Sequence, residues 1–181
     1  MSSNKFKIVE NILIIKSQNI NYVSKKIINI ELKKNITTLK FQELGRIQET
    51  FLEILFEIIN LKKNIIKLDF SNKINSRDPN EFNKETLTFL LSKLNQTNII
   101  ELDLSNIKII DLENINIFNL IDESGIYLIT IKLCDIEGLK LNQENYKIIQ
   151  RLKEKKNINI WLNHTSEQIH KIIQSIKNIP V

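Results

Sequence analysis

Two carboxylates, Asp69 in "KLDFSN" and Asp103 in "ELDLSN", hold the same place in two nearly identical words. At one level on adjacent strands, such a pair would bind a cation or divide acid and base work, since like charges in close contact push their proton affinities apart. The more ordinary role is solvated surface facing a basic residue, and both are read here as partner-binding rather than catalytic. His164 and His170 lie six apart across a loop and a helix, outside any zinc-protease helix spacing, and are read as structural or solvated. Cys134 follows a strand, where Lys132 would activate a thiol and Asp135 offsets it. As the single cysteine it excludes an internal disulfide and a cysteine-based zinc cage, and it suits a reducing, cytoplasmic setting. Three glycines, Gly45, Gly125 and Gly138, make no phosphate-binding loop. The sequence therefore assigns no catalytic residue, metal ligand or cofactor, and the chain reads as a non-enzyme.

The elements that would position these side chains follow from a repeat. "NIIKLDFSN" (64–72) returns as "NIIELDLSN" (98–106) with seven of nine letters unchanged. Aligned on the last apolar residue, the series is Phe41, Phe70, Leu104, Leu133 and Leu162, at spacings of 29, 34, 29 and 29 residues. Within a word the pattern alternates: Ile66, Leu68 and Phe70 on one side, Lys67, Asp69 and Ser71 on the other, which is a short strand with one buried face. The first word fits less well, with Thr37 where the others have an apolar residue.

Between the words the period becomes helical. Ile47, Phe51, Ile54, Leu55, Ile58 and Ile59 share a face. In "DPNEFNKETLTFLLSKLN", Asp78 is expected to cap, Pro79 to open the helix and Glu81 to close a capping box, with Phe82, Thr86, Leu90 and Leu94 turned inward. "LENINIFNLID" predicts a shorter helix, and "NQENYKIIQRLKEKK" one that buries Tyr146, Ile149 and Leu152. Ser166 would cap a last helix carrying Ile169, Ile172, Ile173 and Ile176. "FKIVENILIIKS" predicts strands turning around Glu10 and Asn11, and "INYVSKKIINIELKK" a helix.

The words "IIKLDFSN" and "IIELDLSN", each with apolar residues at Ile-x-x-Leu-x-Phe/Leu spacing, resemble leucine-rich repeat proteins, with a period most like the ribonuclease-inhibitor-type subclass. The likeness covers residues 35 to 165, more than two-thirds of the chain. It departs from the family where an Asn or Cys is usual: Lys73, Ile107 and Ile136 stand there, with Asn72, Asn106 and Asp135 one residue earlier. The resemblance implies an α/β solenoid, a horseshoe arc of about five repeats, with parallel strands on the concave face and helices on the convex face. Residues 1–181 are then one domain: 1–34 a degenerate first repeat or N-terminal cap, 35–165 the repeats, 166–181 a C-terminal capping helix.

In that arrangement the outward residues form rows. One is Thr38, Lys67, Glu101, Thr130 and Asn159; the next is Lys40, Asp69, Asp103, Lys132 and Trp161; the third is Gln42, Ser71, Ser105, Cys134 and Asn163. Mixed charge suits a protein partner better than nucleic acid, whose groove would be dominated by Lys and Arg with aromatics between them. Trp161 is either a binding anchor or a side chain covered by the C-terminal segment. Arg77, one of three arginines, lies in "SNKINSRDPNEF" on the rim, where the five extra residues of the 34-residue repeat fall. The candidate partner-binding residues are Lys67, Asp69, Glu101, Asp103, Lys132, Trp161 and Arg77.

Composition bounds the alternatives. A hydrophobic fraction of 42% suits a folded chain, and the heavy use of Ile, Asn and Lys with no Ala reflects AT-rich codons. Net charge is +5 and the pI about 9.2, yet Lys and Glu are interspersed. The N-terminus lacks the unbroken apolar core and small-residue cleavage site of a secretory signal, and no segment nears the ~18 apolar residues of a membrane span. The expected function is a monomeric, cytoplasmic protein-interaction module: an adaptor, or an effector delivered by an intracellular microbe into a host cytosol. The alternative is a basic protein binding anionic membrane or nucleic acid through Lys-rich helical faces such as "RLKEKK" and the Lys171–Lys177 helix.

Overall fold

The computed structural model of the chain describes residues 6–16, 35–73, 76–127, 130–139 and 141–162. The expected first helix, the C-terminal capping helix, Asn163, His164 and His170 lie outside them.

The alternating words become strands. In chain order they are β1 (Phe6–Val9), β2 (Ile12–Ile15), β3 (Thr38–Phe41), β4 (Lys67–Asp69), β6 (Glu101–Asp103), β8 (Thr130–Lys132) and β9 (Asn159–Trp161), and they lie in that order in one seven-stranded sheet. β1 and β2 form the antiparallel hairpin expected around Glu10, which takes a left-handed φ of 53°. Every later pairing is parallel, since a segment of roughly 25 residues separates each strand from the next, long enough for a crossover. The register is the one the repeat implies: Leu39, Leu68, Leu102, Ile131 and Ile160 lie side by side, as do Lys40, Asp69, Asp103, Lys132 and Trp161.

Among the described residues, four helices return the chain between strands: α1 (Glu49–Leu61), α2 (Lys84–Leu94), α3 (Ile117–Glu123) and α4 (Gln143–Lys156). Each packs on the next, and their apolar faces join the buried strand face in one core. At its centre Phe41 stacks on Phe70 with ring centroids 4.6 Å apart, and Phe51 and Phe82 meet this pair edge-on.

The expected leucine-rich repeat horseshoe is not the architecture. The structure is a mixed α/β fold around one mostly parallel sheet, and the segments between its strands are not copies of one unit. The helices run to 13, 11, 7 and 14 residues, and α3 is preceded by a 3-10 turn at Leu112–Asn114. The segment after β4 inserts β5 (Glu81–Phe82), which pairs in parallel with β7 (Lys108–Ile109) in a second, two-stranded sheet. The first strand pair is antiparallel. A regular arc needs near-identical units with a constant rotation from each to the next, and segments this unequal do not supply it.

Three local expectations also change. α2 begins at Lys84, capped by Asn83 in a reciprocal box with Thr86, because Glu81 and Phe82 are already committed to β5; Asp78 and Pro79 lie upstream of it. α4 buries Asn145, Ile148 and Leu152 while Tyr146 and Ile149 sit at the margin, a rotation of one residue from the expected face. Ile66 and Ile100 are 39% and 41% exposed, and Ile65 and Ile99 are buried in their place, since strand geometry starts only at Lys67 and Glu101. Thr37 is therefore no defect: it stands at the exposed position and bonds Asn11 Nδ2 at 2.6 Å.

Candidate functional site

The polar face of the sheet gathers six of the seven candidate residues. The side chains of Lys67, Asp69, Glu101, Asp103, Lys132 and Trp161 fall in two adjacent rows over β4, β6, β8 and β9. Arg77 stands apart, exposed in the segment between β4 and β5.

The charges pair in two clusters, Lys40 with Asp69 and both Lys67 and Lys132 with Glu101. Lys40 Nζ lies 2.7 Å from Asp69 Oδ2 and also reaches Ser71 Oγ at 3.0 Å. Glu101 Oε1 takes Lys67 Nζ at 2.8 Å and Lys132 Nζ at 2.6 Å. Lys132 does not reach straight across to Asp103, its register partner, but diagonally to Glu101. Burial pushes the Glu101 carboxyl up, but the two lysine hydrogen bonds and charges outweigh it and hold it below its ordinary 4.5. The hydrogen bond to Glu101 raises Lys132 above 10.5 against a smaller desolvation penalty, helped by the charges of Glu101, Asp103 and Asp69.

Asp69 and Asp103 correct the expectation of solvated carboxylates: they are 7% and 9% exposed. Both have a backbone task. Asp69 Oδ1 accepts Ser71 N at 2.9 Å and Ser71 Oγ at 2.5 Å, and Asp103 Oδ1 accepts Ser105 N at 3.0 Å, so each shapes the turn leaving its strand. The Lys40–Ser71 contact has the spacing of a serine–lysine nucleophile. Here, however, the ammonium is ion-paired with Asp69 and the hydroxyl donates to the same carboxylate, an arrangement that builds a turn rather than an attacking oxygen. Among the described residues no group of three or more His, Cys, Asp and Glu side chains has a metal-holding arrangement.

Trp161 ends the second row. It is 59% exposed, and Lys132 Nζ lies 5.9 Å from its ring centroid, within cation–π range. Cys134, half-buried on the row beyond, has its Sγ 3.8 Å from the Trp161 carbonyl oxygen.

Asn80 is the residue the sequence did not single out. It is fully buried, and its Nδ2 donates to the Phe41 and Phe70 carbonyls at 2.8 and 2.7 Å while its Oδ1 accepts Leu44 N at 3.0 Å. Asn72, the displaced family position, bonds Asn80 N and the Asn106 carbonyl, each at 3.0 Å. Asn106 and Asp135, its equivalents in later words, instead take left-handed φ values of 58° and 54°. A polar residue in an insertion shows no periodicity, so the role of Asn80 had no signal beyond residue type.

Four more cations form ion pairs away from this face. Lys16 pairs with Glu43, Lys108 with Glu81, and Arg151 and Lys156 of "RLKEKK" converge on Asp122. A cleft of about 570 Å³ opens among the loops before α3 and α4, away from the sheet face, where Asn116 Nδ2 and Asn145 Oδ1 bond at 2.8 Å. No helix among the described residues is long and apolar enough to cross a membrane.

Together these features define a mixed α/β protein with an ion-paired polar sheet face that ends in an exposed tryptophan. No family model, curated protein or solved structure matches the chain.

Proposed function

We propose that the chain is a non-enzymatic protein-interaction module that binds a partner protein through the polar face of its seven-stranded sheet, with Trp161 as the anchor. The carrying observation is the 59% exposure of this one tryptophan at the end of the Lys40–Asp69–Asp103–Lys132 row. A tryptophan usually buries most of its large apolar surface, and surface tryptophans are enriched among binding hot spots. Three lysines and three carboxylates on this face balance one another, which favours a protein surface over a polyanion. The single cysteine suits action in the reducing cytosol. The anionic-ligand alternative has less support, because the basic residues Arg151 and Lys156 of α4 are already held by Asp122.

The test compares wild-type and Trp161→Ala chains as bait, with quantitative mass spectrometry of what each retains and a melting curve for each. A protein retained by wild type and lost from an equally stable Trp161→Ala chain supports the reading. Identical retained sets remove it.

A further inference from the structure

We infer that Glu101 is a positioning residue for Trp161: through Lys132 it holds the indole over the sheet, so that the docking face is built before a partner arrives and accepts an apolar rather than a basic side chain. The inference rests on the proposed docking role of Trp161. Glu101 on β6 and Trp161 on β9 stand two strands and two residues of register apart, about 12 Å. They share one ammonium: Lys132 Nζ is 2.6 Å from Glu101 Oε1 and 5.9 Å from the indole centroid. A free lysine end samples many rotamers, and its attraction for a ring is correspondingly diluted. Here the carboxylate fixes the diagonal course of Lys132 and with it the place where the ring meets a cation. Lys67, on the same Glu101 oxygen, steadies the carboxylate from the other side.

The charge pattern selects the occupant. Lys132 already occupies the cation position over this indole, so a lysine or arginine of a partner finds that position taken. Lys40, Lys67 and Lys132 all have counter-ions within the face, so acidic partner residues find little unneutralised charge there. What remains is the exposed indole surface, which fits an aliphatic or aromatic side chain of a partner protein.

Trp161 is the chain's single tryptophan, so its emission reads this site alone. In the free wild-type chain, iodide should quench that emission more efficiently, relative to a free tryptophan amide, than caesium does, and Lys132→Met should reduce that excess. Glu101→Gln should lower the emission anisotropy and raise quenching by neutral acrylamide. Lys108→Gln, which breaks the ion pair to Glu81 on the two-stranded sheet, should change none of these, and circular dichroism should verify that all variants fold. Unchanged anisotropy and acrylamide quenching in a folded Glu101→Gln chain overturn the positioning role, whatever Trp161→Ala does to partner capture. If the emission changes as expected but Trp161→Ala retains the same proteins as wild type, the docking reading fails and takes the choice of occupant with it. If both hold, Glu101→Gln should weaken capture of the Trp161-dependent partner in the wild-type background and add nothing in the Trp161→Ala background.

Discussion

Asn80 donates to the Phe70 carbonyl at 2.7 Å, and the same amide nitrogen donates to the Phe41 carbonyl at 2.8 Å, so one side chain from the insertion ties the ends of β3 and β4 together. Replacing it removes the side-chain donor to two strand-end carbonyls at a fully buried position, and one acceptor of the Leu44 N–H. Asn80→Ala should cost about 3 kcal/mol or more in urea unfolding, given ~1–3 kcal/mol for each buried group stranded. Asn80→Asp should not rescue it, because a carboxylate accepts from Leu44 but cannot donate to the carbonyls. A loss near zero for Asn80→Ala would mean that water takes over all three bonds.

Leu102 and Ile100, two residues apart, should respond very unequally to truncation. Leu102 is fully buried in a central strand, so Leu102→Ala should destabilise by roughly 2–5 kcal/mol through lost transfer energy and a residual cavity. Ile100 is 41% exposed just before β6, and Ile100→Ala should stay within about 1 kcal/mol of wild type. Paired chemical denaturation curves check this, and equal losses would mean the strand begins earlier than Glu101.

The Glu101–Lys132 pair gives stability a pH signature. The folded-state pKa of Glu101 is depressed, so its contribution is present above 4.5 and is lost as pH falls through the lower folded value. That of Lys132 is raised, so its contribution is complete below 10.5 and is lost as pH rises through the higher folded value. The stability gap between wild type and Glu101→Gln should therefore be constant near neutrality and close in acid below 4.5, while the gap to Lys132→Met should close in strong alkali. A Glu101→Gln gap that widened in acid would contradict the assignment.

The two ligand classes separate by salt. With the sheet face balanced and Arg151 and Lys156 of α4 paired with Asp122, binding to duplex DNA or anionic vesicles should be weak and vanish near ~0.15 M salt. Saturable binding at that salt would reverse the ranking. Trp161→Ala should instead reduce affinity for a protein partner by about 2 kcal/mol or more with little change in melting temperature. An effect on melting alone would make Trp161 a structural residue.

The sequence by itself marked the five repeat-word strands, β3, β4, β6, β8 and β9, with their parallel order and register. Period-two words recurring at near-constant spacing leave one way to bury Leu68, Leu102 and Ile131 together, and a slip of one residue would turn every lysine and glutamate inward. It also placed six of the seven candidate side chains on one face, because that follows from alternation alone. Long-range contact decided the rest. The unequal helices and the β5–β7 pairing replace a repeat arc, and α2 starts at Lys84 because Glu81 and Phe82 find Lys108 and Ile109, 27 residues away. Alternation put Asp69 and Asp103 outward; their burial depends on how Lys40, Ser71 and their neighbours close over them. The setting of Trp161 depends on a lysine crossing diagonally to a carboxylate on the next strand, a choice between two acidic neighbours made by side-chain packing in three dimensions.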